Sequence, residues 1–252
     1  MNNILITAAV FVLLAGSGLI SMSMYTRLPE HHRDDKTRDA VRTIASIFIM
    51  MTSLTFGLLI NSAKNTFEMI NGNMHVYATD LIILDRMLRT YGSDANDARR
   101  MLIAYTEEAI SHPARVEELL LTKSDSSGRA LDAVGNTLSA LTPSDRFHET
   151  QLVDIRKHYN RMLKHRWAIV EHSEGSIPMP LMGMLVCWLM VVFTSFGYRA
   201  PRNTVVVTMI LISAFLISTS VYLIFDMNVP FKGPIRVSDQ PIHRALKEMQ
   251  NP

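Results

Sequence analysis

Residues 43–63 read TIASIFIMMTSLTFGLLINSA, 21 positions without a charge, and the pattern that continues past Ala63 decides the fold. A helix of that length, rising about 1.5 Å per residue, crosses roughly 30 Å of hydrocarbon. Lys64 ends the uncharged run, but the apolar pattern does not stop there. Phe56, Ile60, Ala63, Phe67, Ile70, Met74, Tyr77, Leu81, Leu84, Leu88 and Tyr91 recur at alternating steps of four and three. That spacing holds them on one helix face over several heptads. It predicts one helix that leaves the bilayer and continues as a stalk to Gly92, where a residue without a Cβ suits the stop.

Three more uncharged windows flank this one: Ile4 to Tyr25, Ile177 to Tyr198 and Asn203 to Phe225, of 22, 22 and 23 residues. Each is long enough to span. The first could be a secretory signal, but Met1-Asn2-Asn3 supplies no Lys or Arg ahead of it, so a retained helix is expected. The expected fold is therefore all-α: an integral membrane protein with four transmembrane helices and a helical-bundle, coiled-coil-like extramembrane domain between spans two and three. The division runs 1–25 first span, 26–42 charged surface turn, 43–63 second span, 64–176 extramembrane domain, 177–198 third span, 203–225 fourth span and 226–252 tail. A composition 48% hydrophobic yet 19% charged fits such a hybrid and no purely soluble or purely membrane-embedded chain.

In the extramembrane segment, Ser93 or Asp94 can cap a helix whose Ala95, Ala98, Leu102, Tyr105 and Ala109 share a face, with Pro113 ending it. Lys123 to Gly128 reads as a loop. Leu131, Val134, Leu138 and Leu141 mark another short amphipathic helix. After Thr142-Pro143 a wide apolar stripe from Leu152 to Val170 implies a return helix packed on more than one neighbour. Pro178 and Pro180 break it before the third span. The last two spans, joined only through Arg199 to Asn203, form a tight antiparallel hairpin. The tail carries a possible surface helix with Ile242, Leu246 and Met249.

Charge placement is informative about partners. With 25 basic and 23 acidic residues interleaved and a net charge of +2, no polybasic nucleic-acid surface is present. The first and third loops hold seven basic residues and the tail four, so the positive-inside rule leans toward those loops in the cytoplasm and the domain outside. Counting the membrane-proximal Lys64, Arg161, Lys164 and Arg166 pulls the other way. Cys187 is the only cysteine, so no intrachain disulfide can form.

Little points to catalysis. Gly16-Ser17-Gly18 lies within a span, without the strand-to-helix setting of a nucleophile elbow, and no phosphate loop or dinucleotide fingerprint occurs. The protein is read as no enzyme and as requiring no cofactor. His31, His32, Asp34 and Asp35 are metal-ligand types, but beside Arg33, Lys36 and Arg38 they form a solvated charged turn, and no metal is assigned. His158, His165 and His172 recur every seven residues and share a face, as a polar stripe or as a proton or metal site. The spans carry no charged residue, which argues against a pump, whereas an apolar constriction can still gate a passive pore. On the second span Ser46, Ser53 and Gly57 form a small-residue face for helix packing. Ile44, Phe48, Thr52, Thr55, Phe56 and Leu59 form a bulkier face, the candidate pore lining.

Several segments together resemble a bacterial membrane-protein family labelled bestrophin-like. They are Leu28-Pro29-Glu30-His31-His32-Arg33-Asp34-Asp35 with Thr37-Arg38-Asp39; Leu58 to Lys64; Leu84-Asp85-Arg86; Tyr91-Gly92; Ser176-Ile177-Pro178; Ser195-Phe196-Gly197; Ala200-Pro201-Arg202-Asn203; and Pro230 to Ser238. The resemblance implies a multi-pass protein of the bacterial inner membrane that self-associates in the lipid bilayer and forms an ion channel, anion-conducting by the label. It further implies a pore neck of apolar residues four apart on the second span, which Ile44 and Phe48 match and Thr52 does not, and a helical domain on the cytoplasmic side, against the charge count. His31, His32, Arg33, Asp34, Asp35, Arg38 and Asp39 form its signature loop, of unknown role. A membrane-anchored sensory or scaffolding protein, whose domain binds a partner, is the alternative.

Overall fold

The structure, a computed structural model, describes residues 2–25, 27, 29, 34–111, 125–173, 177–198, 200–228, 231 and 233–251. Its helices are α1 (Asn2–Tyr25), α2 (Asp35–Tyr91), α3 (Asn96–Ser111), α4 (Asp125–Ala140), α5 (Arg146–Ser173), α6 (Met179–Gly197), α7 (Thr204–Asn228) and α8 (Gln240–Gln250), with a 3-10 turn at Ser93–Ala95. Helices α1, α2, α6 and α7 are long and apolar enough to cross a membrane. The stalk is observed: α2 runs unbroken for 57 residues. It begins at Asp35, so the second half of the charged turn is already its first turns. It ends before Gly92, whose φ of 104° lies where only glycine is at ease.

Close contacts divide the chain into two units, Met1–Asn65 with Ser176–Asn228, and Thr66–Gly175 with Val229–Pro252; α2 contributes to both. In the first unit the closest backbone packing is that of α1 on α6 and on α7. Glycines permit it. A Cβ on Gly197 would overlap the Gly18 carbonyl, and one on Gly18 would stand 3.2 Å from Ile210. Ser21 Oγ donates to the Thr194 carbonyl at 2.7 Å, a hydrogen bond between spans. At the α6–α7 connection Arg202 donates to the Ser23 carbonyl at 2.8 Å, satisfying an orphan acceptor at the end of α1. Asn203 Oδ1 accepts from the Val206 amide at 2.8 Å and caps α7. Local chemistry thus accounts for Ala200-Pro201-Arg202-Asn203. The membrane part of α2 joins this unit through Leu59 and Ala63, buried in the same core.

The second unit is built on the heptad face. Ile70, Met74, Tyr77, Leu81, Leu84, Leu88 and Tyr91 are buried with Leu102, Leu131, Ile155 and Met162. Burying each such side chain contributes about 1.5–3 kcal/mol before chain entropy is counted. Several polar groups in this core are paired. Asp85, 1% exposed, is held by Arg99 at 2.8 Å and Arg89 at 3.3 Å. The Tyr77 and Tyr105 hydroxyls share a hydrogen bond of 2.9 Å, and burial raises the pKa of both. Tyr159 donates to the Leu131 carbonyl at 2.7 Å, and burial pushes its phenol up to about 12.

The tail belongs to this core. Val237, Ile242, Ala245 and Met249 are buried in it, where the sequence pattern suggested a surface helix. The end of α8 is fastened by two cations, Arg99 donating to the Met249 carbonyl at 2.7 Å and Arg89 to the Asn251 carbonyl at 2.8 Å. Those are carbonyls that a helix C-terminus leaves without intrahelical partners.

Candidate functional site

The candidate site is the membrane part of α2, and side-chain burial divides its faces. Of the six residues read as a possible pore lining, Thr52 and Leu59 are buried against their own protomer. Phe48, Thr55 and Phe56 are half-buried, and Ile44 is 52% exposed. The structure therefore does not bring those six together on one open face. Most of the remaining surface is open, and one apolar stripe of it, Ile44, Ile47, Met51, Leu54 and Leu58, runs along the helix in steps of three and four, with Ile49, Met50 and Ile60 exposed beside it. That spacing was available in the sequence. What the sequence could not supply was which face of an apolar helix its own protomer covers.

Ser46, Ser53 and Gly57, read as a close-packing face, are exposed as well. A Cβ at Gly57 would meet nothing within 4 Å, so none of the described helices packs closely on it. Beside it opens a cleft of about 590 Å³ between α2, α6 and α7, with Thr52, Ser53 and Phe56 on one wall, Val192 and Phe196 on the second and Ser213 on the third.

The signature loop is described only from Asp34 onward; His31, His32 and Arg33 lie outside the described residues. Asp34 Oδ1 accepts from the Asp35 amide at 2.7 Å, and the Asp34 carbonyl accepts from the Arg38 amide. Asp34 therefore starts α2. Asp39 accepts on its carbonyl from the Thr43 hydroxyl at 2.9 Å. Among the described residues no group of three or more His, Cys, Asp or Glu side chains is placed to hold a metal ion.

In the second unit the heptad histidines converge in part. His165 Nδ1 donates to Asp80 Oδ2 at 2.6 Å. His158 Nε2 lies 3.1 Å from the Asp80 carbonyl and 3.4 Å from Oδ1, while its Nδ1 faces the Arg161 guanidinium. Those partners assign the Nε2–H tautomer, a neutral ring that donates to α2 and accepts from Arg161. His172 turns away, its Nδ1 meeting the Ala168 carbonyl at 2.7 Å on the same helix. Asp80 was no candidate in the sequence; its role becomes visible only when α5 is laid beside α2. Nearby, Lys157, Arg161 and Lys164 border a polar cavity of about 800 Å³.

Comparison with known proteins settles the lineage. A family model described as the Bestrophin-like domain matches residues 12–242. The chain belongs to the Bestrophin-like family. Solved structures agree on the fold at low identity. A bacterial bestrophin homologue from Klebsiella pneumoniae carrying a point mutation is 11% identical, with a TM-score of 0.65 over 96% of this chain and 97% of that one. A second mutant of that homologue is 14% identical, with a TM-score of 0.63 over 98% and 97%. A structure described as a membrane protein, also a point mutant, is 14% identical, with a TM-score of 0.67 over 98% and 97%. No curated protein matches. The four-span, all-helical membrane architecture read from the sequence is thus that of a bestrophin-like protein.

Proposed function

We propose that the chain assembles with copies of itself into a ring in the bacterial inner membrane and conducts ions, by the family label anions, along an axis lined by α2. The observation that carries this reading is the open stripe Ile44, Ile47, Met51, Leu54 and Leu58, which the protomer leaves uncovered over four helical turns. Copies arranged around it would form stacked apolar rings, and a narrow apolar constriction gates by dewetting without any ionisable residue. On this reading the protein acts as a conduit and no enzyme. The test is reconstitution. Detergent-purified protein should migrate as a closed oligomer by native mass spectrometry and pass chloride in liposomes. A monomer with no flux for chloride or potassium would sink the reading.

A further inference from the structure

The cleft between α2, α6 and α7 lies wholly among membrane-crossing residues, and its lining contains no charged side chain. Its volume of about 590 Å³ is within the range of small-molecule sites. In a bilayer such a space fills with something apolar, and what separates a site from a lipid-wetted surface is a polar group that selects the occupant. Thr52 supplies one. It lines the cleft at 7% exposure, and its Oγ1 has no hydrogen-bond partner among the described residues.

Other hydroxyls on the same helices behave differently. Thr43 and Ser46 return theirs to the Asp39 and Arg42 carbonyls at 2.9 and 2.8 Å, and on the far wall Ser220 bonds the Leu216 carbonyl at 2.9 Å. An unsatisfied buried hydroxyl costs free energy, and in hydrocarbon no water relieves it. Ser53 and Ser213, both exposed, add hydroxyls to the lining. The floor beside Gly57 stays open, since a Cβ there would meet nothing within 4 Å.

We propose that this cleft is an intramembrane binding site for a neutral amphiphile: an apolar chain that lies along Phe56, Val192 and Phe196, with a small uncharged hydroxyl head bonded to Thr52. The absence of any cation in the lining excludes a phosphate or carboxylate head, because nothing would offset its desolvation. The Thr52 Oγ1 is itself buried in this structure, so the head group would reach it on a change of χ1 rotamer, threonine having two in a helix. The occupant would bridge α2 to α6 and α7, and so hold the span whose open stripe faces outward. The site stands on its own lining and does not require that the protein conduct.

The test uses the full chain in phosphatidylcholine vesicles, a long-chain fatty alcohol bearing a photoreactive diazirine as the probe, and peptide mapping of the adducts. Adducts should concentrate on 49–60, 189–196 and 213–220. Unlabelled fatty alcohol should compete, and the same chain with a sulfate head should not. Thr52→Val should lower labelling about two- to tenfold, the worth of one hydrogen bond, and Thr52→Ser should preserve it. Gly57→Leu, which fills open space, should abolish labelling with helicity by circular dichroism unchanged. Adducts spread over lipid-facing residues such as Val12 and Phe215, and indifferent to competitor and variants, would overturn the proposal. So would equal competition by the sulfate, or a disulfide between Gly57→Cys of one copy and Leu54→Cys of another, which would put a second copy in the cleft.

Discussion

One helix lives in two solvents, and its two halves are packed by different rules. From Ile70 to Tyr91 the heptad positions of α2 are all buried, because water penalises every apolar face left open. From Thr43 to Ala63 the same helix buries Ala45, Thr52, Leu59 and Ala63 and leaves Ile47, Leu54 and Leu58 open. Lipid tails are as apolar as leucine, so the membrane half gains little by covering that face within the protomer. Polar groups divide likewise. The extramembrane half holds Asp80 and Asp85 in ion pairs, while the membrane half holds only uncharged polar groups, hydroxyls and the Asn61 amide. A face that water would have forced shut is thereby left open.

The sharpest way to break this contrast is at the paired acids. Asp85→Ala leaves Arg99 and Arg89 facing an empty space and also loosens the end of α8, so thermal unfolding in detergent should report a loss of about 3–5 kcal/mol. Next comes the leucine pair. Leu81→Ala should destabilise by about 2–5 kcal/mol, whereas Leu54→Ala should change protomer stability by only about 0.5 kcal/mol or less and act on the oligomer, read by native mass spectrometry. Within the membrane unit, Gly197→Ala forces α6 off α1, and a cost of about 1–3 kcal/mol should appear in the same melt.

The smallest effect is alkaline. Tyr159 has a folded pKa of about 12, above the ordinary phenol value of 10.0. The unfolded chain therefore releases this proton first as pH rises, and the stabilisation, complete below pH 10, is lost through about 12. Tyr77 and Tyr105 are shifted in the same direction. Circular dichroism across that window should show the extramembrane helices weakening, and Tyr159→Phe should flatten its share.

Much of this architecture was legible because the bilayer imposes a length. Four uncharged runs of spanning length and a heptad that outlasts the second of them are patterns within one segment. Gly92 could be read as the stop of α2 for the same reason, since a positive φ is a local demand. What stayed hidden depends on partners far apart in sequence. Asp80 pairs with His165, 85 residues on. The tail looked like a surface helix because its anchors, Arg89 and Arg99, lie on other helices. The sequence reading placed Ile44, Phe48, Thr52, Thr55, Phe56 and Leu59 on one bulkier face of α2, but an apolar helix gives no sign of which face its protomer covers. Thr52 and Leu59 turned inward for that reason, and Ile47, Met51, Leu54 and Leu58 went unmarked.

The central claim is that the uncovered stripe of α2 is the ion path. It is tested most directly by cysteine modification in a Cys187→Ser background, with a water-soluble methanethiosulfonate added during chloride flux in liposomes. The reagent should block flux through Leu54→Cys and Leu58→Cys and leave Leu59→Cys unaffected. Block at Leu59→Cys with none at Leu54→Cys would contradict the account.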